Sequence, residues 1–218
     1  TAAVILESIQ GGAGFIEPKN DYFKKVRQRC NEVGALMIVD EIQPGFGRTG
    51  KLFGFQNYGV VPDIITIGKG MASGLPCGGF VASEEMMDTL SDNPKMAHIT
   101  TFGGNPVVAA ASLATLKEVL ESDLMPQTLE KEKLFRELLV HPLIKEVRGK
   151  GLMLALMTET EEITNQVILR CKDRGLILFW LLFEKKAVRI TPPINISKDE
   201  IREGCQIILE VLDEISKE

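Results

Sequence analysis

Apolar residues are distributed along this chain in two alternating ways. Short, nearly unbroken apolar runs closed by glycine, proline or an acidic residue read as buried strands, and longer stretches with apolar residues at helical spacing read as helices. Ala2–Glu7 predicts a strand, Asp21–Val33 a helix with Gly34 as its stop, and Leu36–Val39 a second strand. A glycine-rich loop occupies 44–50, and further strands are predicted at Ile64–Ile67 and Gly79–Ala82. Ser83 then opens a helix with Glu84 and Glu85 in its first turn, where carboxylates favour the helix dipole. Asn105-Pro106 is a helix start, an N-cap residue followed by proline at the first helical position, and its alanine-rich helix is predicted to run to about Leu120. Apolar strands alternating with helices predict an α/β architecture with a mostly parallel sheet.

Residues 121–126 read as a boundary. Beyond it the pattern predicts a helix over 127–139, a two-strand unit over 145–157 turning at Gly149-Lys150-Gly151, and a helix over 161–174 stopped by Gly175. Strands follow at Leu176–Trp180 and Ala187–Thr191, and Ser197 with Glu200 forms a capping box for the last helix. The expected division is therefore residues 1–122, part of a large α/β domain, and 123–218, a smaller α+β domain.

Composition narrows the functional classes. With 44% hydrophobic and 25% charged residues the chain has material for a sizeable core, and a formal charge of -5 leaves no basic footprint for nucleic acid. Cys30, Cys77, Cys171 and Cys205 lie far apart, with only His98 and His141 to join them, so no metal site is expected and reduced thiols in a cytoplasmic protein are. No apolar segment approaches membrane-spanning length; the strongly apolar patch Leu176–Phe183 suits a core strand or an oligomer contact. The chain opens at Thr1 directly into a strand-like run, which leads us to expect a piece of something longer.

Three features carry candidate chemistry. Lys69 follows the apolar run Ile64–Ile67 and stands between Gly68 and Gly70. Most lysines merely decorate loops, but one flanked by glycines beyond a strand end can be approached closely, and partial desolvation would ready its amine for a Schiff base. Asp40 ends Leu36–Val39 in the same way, and ligands of open α/β sheets sit outside the carboxyl ends of strands. Thr100-Thr101-Phe102-Gly103-Gly104 leads into the helix start at Asn105; it is either a plain capped helix or an anion cradle of hydroxyls and free N–H groups. An amine for a carbonyl, a carboxylate for a ring nitrogen and a cradle for a phosphate together fit pyridoxal phosphate, whose protonated ring serves as an electron sink.

"VDEIQPGFGRTG", "PDIITIGKGMASGLPCGG", "TTFGGNP" and "VRITPPINIS" occur in this order across nearly the whole chain, and together they resemble the class III, or ω-type, aminotransferases of fold type I. The resemblance implies that Lys69 is the Schiff-base lysine and then the proton carrier. It implies that Asp40 partners the pyridine nitrogen, Gln43 donates to the cofactor 3'-oxygen, and Ile42 packs against the ring face. It further implies that Thr101 reaches the cofactor phosphate of the neighbouring subunit, which makes a homodimer with shared active sites part of the expectation. Arg189, which at a strand end would ordinarily be a surface charge, resembles the family's fork for the substrate carboxylate. Arg148 matches a further motif and is assigned a structural role. An amino donor and a 2-oxo acid acceptor are the expected substrates, with no nucleic acid, membrane or metal involved.

Two departures qualify this picture. Where many family members carry a second glutamate that pairs with the arginine at the Arg189 position, this chain has Gly12 within Glu7–Gly14, leaving Arg189 open or differently partnered. The family's N-terminal half, with its phosphate loop and stacking aromatic residue, is also missing, so the fragment alone is expected to be inefficient as a catalyst. A lyase, aminomutase or decarboxylase of the same fold shares the lysine, aspartate and glutamine. A non-catalytic assembly or binding module is the alternative of another class, although it has no need of a lysine at position 69.

Overall fold

The computed structural model describes residues 1–92, 95 and 98–218, and the chain divides into two compact units. The first comprises Thr1–Ser8, Pro18–Phe46 and Lys51–Ser122; the second comprises Ile9–Glu17, Gly47–Gly50 and Asp123–Glu218. Two short loops from the first part of the sequence are thus integral to the second unit.

In the first unit β1 (Ala3–Glu7), α1 (Tyr22–Val33), β2 (Leu36–Asp40), β3 (Ile64–Ile67), β4 (Gly79–Val81), α2 (Glu84–Asp92) and α3 (Pro106–Glu121) follow one another. The strands form one sheet in the order β1-β2-β3-β4, with β1–β2 and β2–β3 parallel and β3–β4 antiparallel. Alternation along β2 sends Met37 and Val39 into a core with Phe23 and Cys30 of α1, which puts Ile38 and Asp40 on the opposite face. Gly34 ends α1 in the left-handed conformation, φ 68°, with its N–H on the Cys30 carbonyl, a stop that glycine adopts without steric cost. The loop before β3 is held by Asp63, which accepts from Arg27 and from the Met37 N–H, both at 2.6 Å.

The second unit contains α4 (Leu124–Leu138), β5 (Ile144–Lys150), β6 (Met153–Thr158), α5 (Glu161–Asp173), β7 (Phe179–Trp180), β8 (Ala187–Ile190) and α6 (Lys198–Ile215). Its sheet is antiparallel throughout, in the order β5-β6-β8-β7. Leu154, Leu156, Val188 and Ile190 face a core completed by α4, α5 and α6, whereas Met153, Ala155, Met157 and Ala187 pack with Leu181, Ile9 and Phe15. Every residue of β6 is therefore buried.

Several boundaries differ from the pattern-based reading. The β5–β6 turn is Gly151-Leu152 and not Gly149-Lys150-Gly151, because Gly149 and Lys150 stay in the ladder opposite Leu154 and Met153. Gly149 holds φ 103° there, and a Cβ at this position would collide with the Met153 carbonyl. Helix α4 begins three residues early, at Leu124 rather than 127, because Pro126 falls in its first turn, where a missing N–H costs no helical bond. The strand expected at Leu176–Trp180 shortens to Phe179–Trp180, since the Leu176 N–H bonds back to Cys171 of α5. Within the apolar patch, Leu178 and Leu181 are buried, but Ile177, Leu182 and Phe183 are each at least 74% exposed.

Candidate active site

The first unit gathers its candidate groups at the carboxyl ends of β2 and β3. Asp40 closes β2 in direct register with Thr66 of β3, and the Glu41 N–H bonds the Thr66 carbonyl at 2.9 Å. The Asp40 carboxylate is half-buried and accepts from the Ile42 N–H at 2.9 Å through Oδ1, which folds the next turn over it. Beside it, the Thr66 hydroxyl is buried without a hydrogen-bond partner. Such an orphan costs about 1–3 kcal/mol unless a ligand or water engages it.

Lys69 begins a single tight helical turn, Lys69–Ala72, with φ 40°. Left-handed backbone at a non-glycine residue is uncommon, and observed strain of this kind is a pointer to function. The two loops converge around it: a Cβ on Gly68 would lie 3.7 Å from both γ carbons of Ile42, and one on Gly70 would lie 3.5 Å from Cβ of Phe46. Asp40, Ile42 and Lys69 therefore share one neighbourhood, with half-buried Gln43 in the same turn as Ile42. Contrary to the desolvation expected from sequence, Lys69 is exposed in this chain, because its flanking glycines carry nothing to cover it. The residue set nevertheless suits pyridoxal phosphate: an approachable amine, a carboxylate at a strand end, an apolar face and an unengaged buried hydroxyl.

Sequence reasoning passed over Glu41. Its side chain is fully buried and accepts from the Gly54 N–H at 2.7 Å and the Phe55 N–H at 2.8 Å. Burial holds its pKa above the ordinary carboxylate range, and these two bonds offset only part of that rise. The carboxylate fixes the returning turn 54–58 against the loop that presents Ile42 and Gln43. Only its position next to Asp40 hinted at it, since nothing in the pattern shows the chain returning at 54.

Thr101 is exposed, in a bend ahead of α3. Asn105 Oδ1 accepts from the N–H groups of Val107 and Val108, at 3.0 and 3.3 Å, and so caps α3. Thr115 of α3 bonds Ser73, next to the Lys69 turn, at 2.8 Å.

Arg189 belongs to the second unit. It is half-buried in β8, its Nε donates to the Thr191 hydroxyl at 3.0 Å, and burial lowers its pKa. Arg48, overlooked from sequence, donates to the carbonyls of Leu152, at 3.2 Å, and Pro192. Burial first and the charge of Arg189 second push the Arg48 guanidinium down to about 10. Gly12 sits in the loop whose Ile9 and Phe15 cover the Ala155 face, and its carbonyl accepts from the Phe183 N–H at 2.9 Å. Arg148 pairs with Glu146 of the same strand. A cavity of about 480 Å³ bordered by Phe135, Ile177, Ile190 and Ile208 has mostly apolar walls, with Arg189, Thr191 and Glu200 as its polar lining. Among the described residues no group of three or more His, Cys, Asp or Glu side chains is placed to hold a metal.

Comparison with known proteins adds an independent line. A family model described as aminotransferase class-III matches residues 1–212. An acetylornithine aminotransferase of Caldanaerobacter subterraneus subsp. tengcongensis is 40% identical over 98% of this chain and 54% of its own length. A putrescine aminotransferase of Pectobacterium atrosepticum is 41% identical over 99% of this chain and 47% of its own. The ornithine aminotransferase of Toxoplasma gondii, in a structure described as having partial occupancy of PLP at the active site, superposes with a TM-score of 0.91 at 30% identity, covering 99% of this chain and 51% of that one. The chain thus spans about half the length of the relatives it matches.

Proposed function

The chain belongs to the class-III aminotransferase family, and from that membership we propose that its residues form part of a longer pyridoxal-phosphate-dependent transaminase, which moves an amino group from an amine or amino-acid donor to a 2-oxo acid. The observation that carries this reading is the convergence of Asp40, Ile42 and Lys69 at two adjacent strand ends. When bound, the cofactor would supply an aldehyde for an amine to capture and a ring that draws electrons from the carbon beside the donor nitrogen.

This chain's own residues then divide the work. Lys69 would hold the cofactor through its amine and would serve as the base that moves a proton at the donor α-carbon. Asp40 would keep the ring nitrogen protonated, Ile42 would pack on the ring face, and Gln43 would bond the 3'-oxygen. Arg189 receives the substrate carboxylate, for which a planar fork is suited. Thr101 serves the phosphate of a partner subunit, so the working form is a homodimer, in the cytoplasm. Residues 1–122 would carry the cofactor-binding domain and 123–218 the small domain.

Borohydride treatment of the cofactor-loaded protein followed by peptide mapping tests the reading. A reduced cofactor adduct on the Lys69 peptide, lost in Lys69→Ala together with turnover, is the expected result. An unmodified Lys69 after incubation with excess cofactor would overturn it.

A further inference from the structure

The four strands of the first unit each place one residue in a single row across the sheet. Glu7 stands opposite Asp40, Asp40 opposite Thr66, and Thr66 opposite Phe80, and registered residues send their side chains to the same face. That face lies away from α1, since Ile65, next to Thr66 in β3, packs against the cluster of Met37 and Val39 with Phe23 and Cys30 of α1. Thr66 therefore stands between a carboxylate and an aromatic ring.

Its hydroxyl is buried and makes no hydrogen bond. Of its two neighbours in the row, Phe80 offers no lone pair; its ring meets His98 edge-on, with centroids 5.4 Å apart. Glu7 is two strand spacings away, about 9–10 Å, and so out of a hydroxyl's reach. Asp40 is one spacing away, about 4.8 Å, where rotation of the threonine about χ1 can meet its carboxylate. Asp40 Oδ1 is taken by the Ile42 N–H at 2.9 Å, and among the described residues Oδ2 has no partner. A buried donor without an acceptor thus adjoins a carboxylate oxygen without a donor. The Glu41 and Asp63 carboxylates of the same unit, by contrast, each hold two donors.

A buried hydroxyl that bonds nothing destabilises the protein that carries it, and valine would fill the same space in a strand without that cost. We propose that Thr66 is a positioning residue for Asp40: in the loaded site its hydroxyl donates to the Asp40 carboxylate and fixes it against the ring nitrogen of the cofactor. This rests on the transaminase reading and adds to it a residue that touches neither substrate nor cofactor. The Ile42 N–H and the Thr66 hydroxyl then restrain the carboxylate together, one from the loop after β2 and one from β3. The hydroxyl is a burden without cofactor and a support with it, a reversal that a purely structural side chain does not show.

The test uses the longest natural chain that contains these residues, as parent, Thr66→Val and Thr66→Ser, with and without pyridoxal phosphate. Without cofactor, Thr66→Val should unfold at or above the temperature of the parent. In equilibrium dialysis it should bind pyridoxal phosphate about tenfold more weakly than the parent, whereas Thr66→Ser, which keeps the hydroxyl, should stay within about threefold. In an Asp40→Asn background the Thr66→Val change should cost less than about threefold, because a neutral acceptor forms the weaker bond. A lower unfolding temperature for cofactor-free Thr66→Val overturns the proposal by showing that the hydroxyl is already bonded. Thr66→Ser as weak as Thr66→Val overturns it in favour of shape, and a tenfold loss that persists in Asp40→Asn overturns it in favour of direct contact with the cofactor. Equal retention of cofactor on Lys69 by the parent and Thr66→Val ends the role of Thr66 and leaves the transaminase reading standing. A parent chain that retains no cofactor sinks that reading and the role of Thr66 with it.

Discussion

Strands β3 and β6 are both mainly apolar, three residues of four in the first and five of six in the second, yet the protein treats them differently. All six residues of β6 are buried, between the helical core and the cluster around Ile9 and Phe15, whereas all four of β3 are only half-covered. In the first unit, α1 packs one face of the sheet through Met37 and Val39, and the other face carries Asp40, Thr66 and Ile38. The difference teaches that β6 is packed like a finished core, while β3 leaves its coverage low on the side that carries Thr66 beside Asp40. A cofactor and the remainder of a longer chain would occupy that side under the function proposed above.

The comparison breaks most directly through core truncation. Leu156→Ala in β6 removes a fully buried side chain and should cost about 3–4 kcal/mol in urea unfolding, whereas Ile64→Ala in β3 should cost about 1–2 kcal/mol. Equal losses would show that β3 is as deeply packed as β6. Gly149→Ala follows closely, with an expected loss of about 2 kcal/mol or more, since alanine must adopt φ 103° and displace the Met153 carbonyl. A stability within about 0.5 kcal/mol of the parent would mean that the β5–β6 ladder relaxes freely around this position.

How much of this was legible in the sequence depends on how local the cause is. The Ser197 box, the Asn105-Pro106 start and the Gly34 stop act within one helical turn, and their residue types are enough to read them. Asp40 and Lys69 were legible because each ends an apolar run, and their adjacency follows from the parallel register of β2 and β3. The Gly149-Lys150-Gly151 turn was misplaced because two glycines suggest a turn, whereas one of them serves the ladder. The roles of Glu41 and Arg48 were not legible, because their partners lie across loops: Gly54 and Phe55 for the first, Leu152 and Pro192 for the second.

Smaller effects sharpen the contrast in how charge is held. Glu41→Gln should cost about 1–3 kcal/mol at neutral pH, because an amide presents a donor to one of the Gly54 and Phe55 N–H groups. Asp63→Asn should cost less, about 1–2 kcal/mol, discounted for the partial exposure of its pair with Arg27. Burial raises the Asp63 pKa, but the Met37 N–H and Arg27 outweigh it and hold the carboxyl below its ordinary 3.8. With the folded value depressed, its contribution is fully present above pH 3.8 and is lost as pH falls through the folded value. Acid unfolding of Asp63→Asn should therefore converge with that of the parent at low pH, and parallel curves throughout would show that the pair does not titrate with folding.

The smallest expected effect lies at the start of α6, in the second unit. Ser197 Oγ accepts from the Glu200 N–H at 3.1 Å, and Glu200 Oε2 accepts from the Ser197 N–H at 2.8 Å, so each satisfies a donor that the helix leaves free. The Ser197 N–H, and after it the Ser197 hydroxyl, which donates to Glu200 Oε2 at 2.7 Å, hold the Glu200 carboxyl below its usual range. Ser197→Ala should cost about 1 kcal/mol and lower Tm by about 2–4 °C. Because the two bonds are reciprocal, Ser197→Ala with Glu200→Gln should cost less than the sum of the single changes, and a double-mutant cycle in thermal unfolding measures the shortfall. Strict additivity would show that the exposed box acts as two independent bonds, and that the stability of α6 rests on Ile201, Ile208 and Leu212 in the core beneath it.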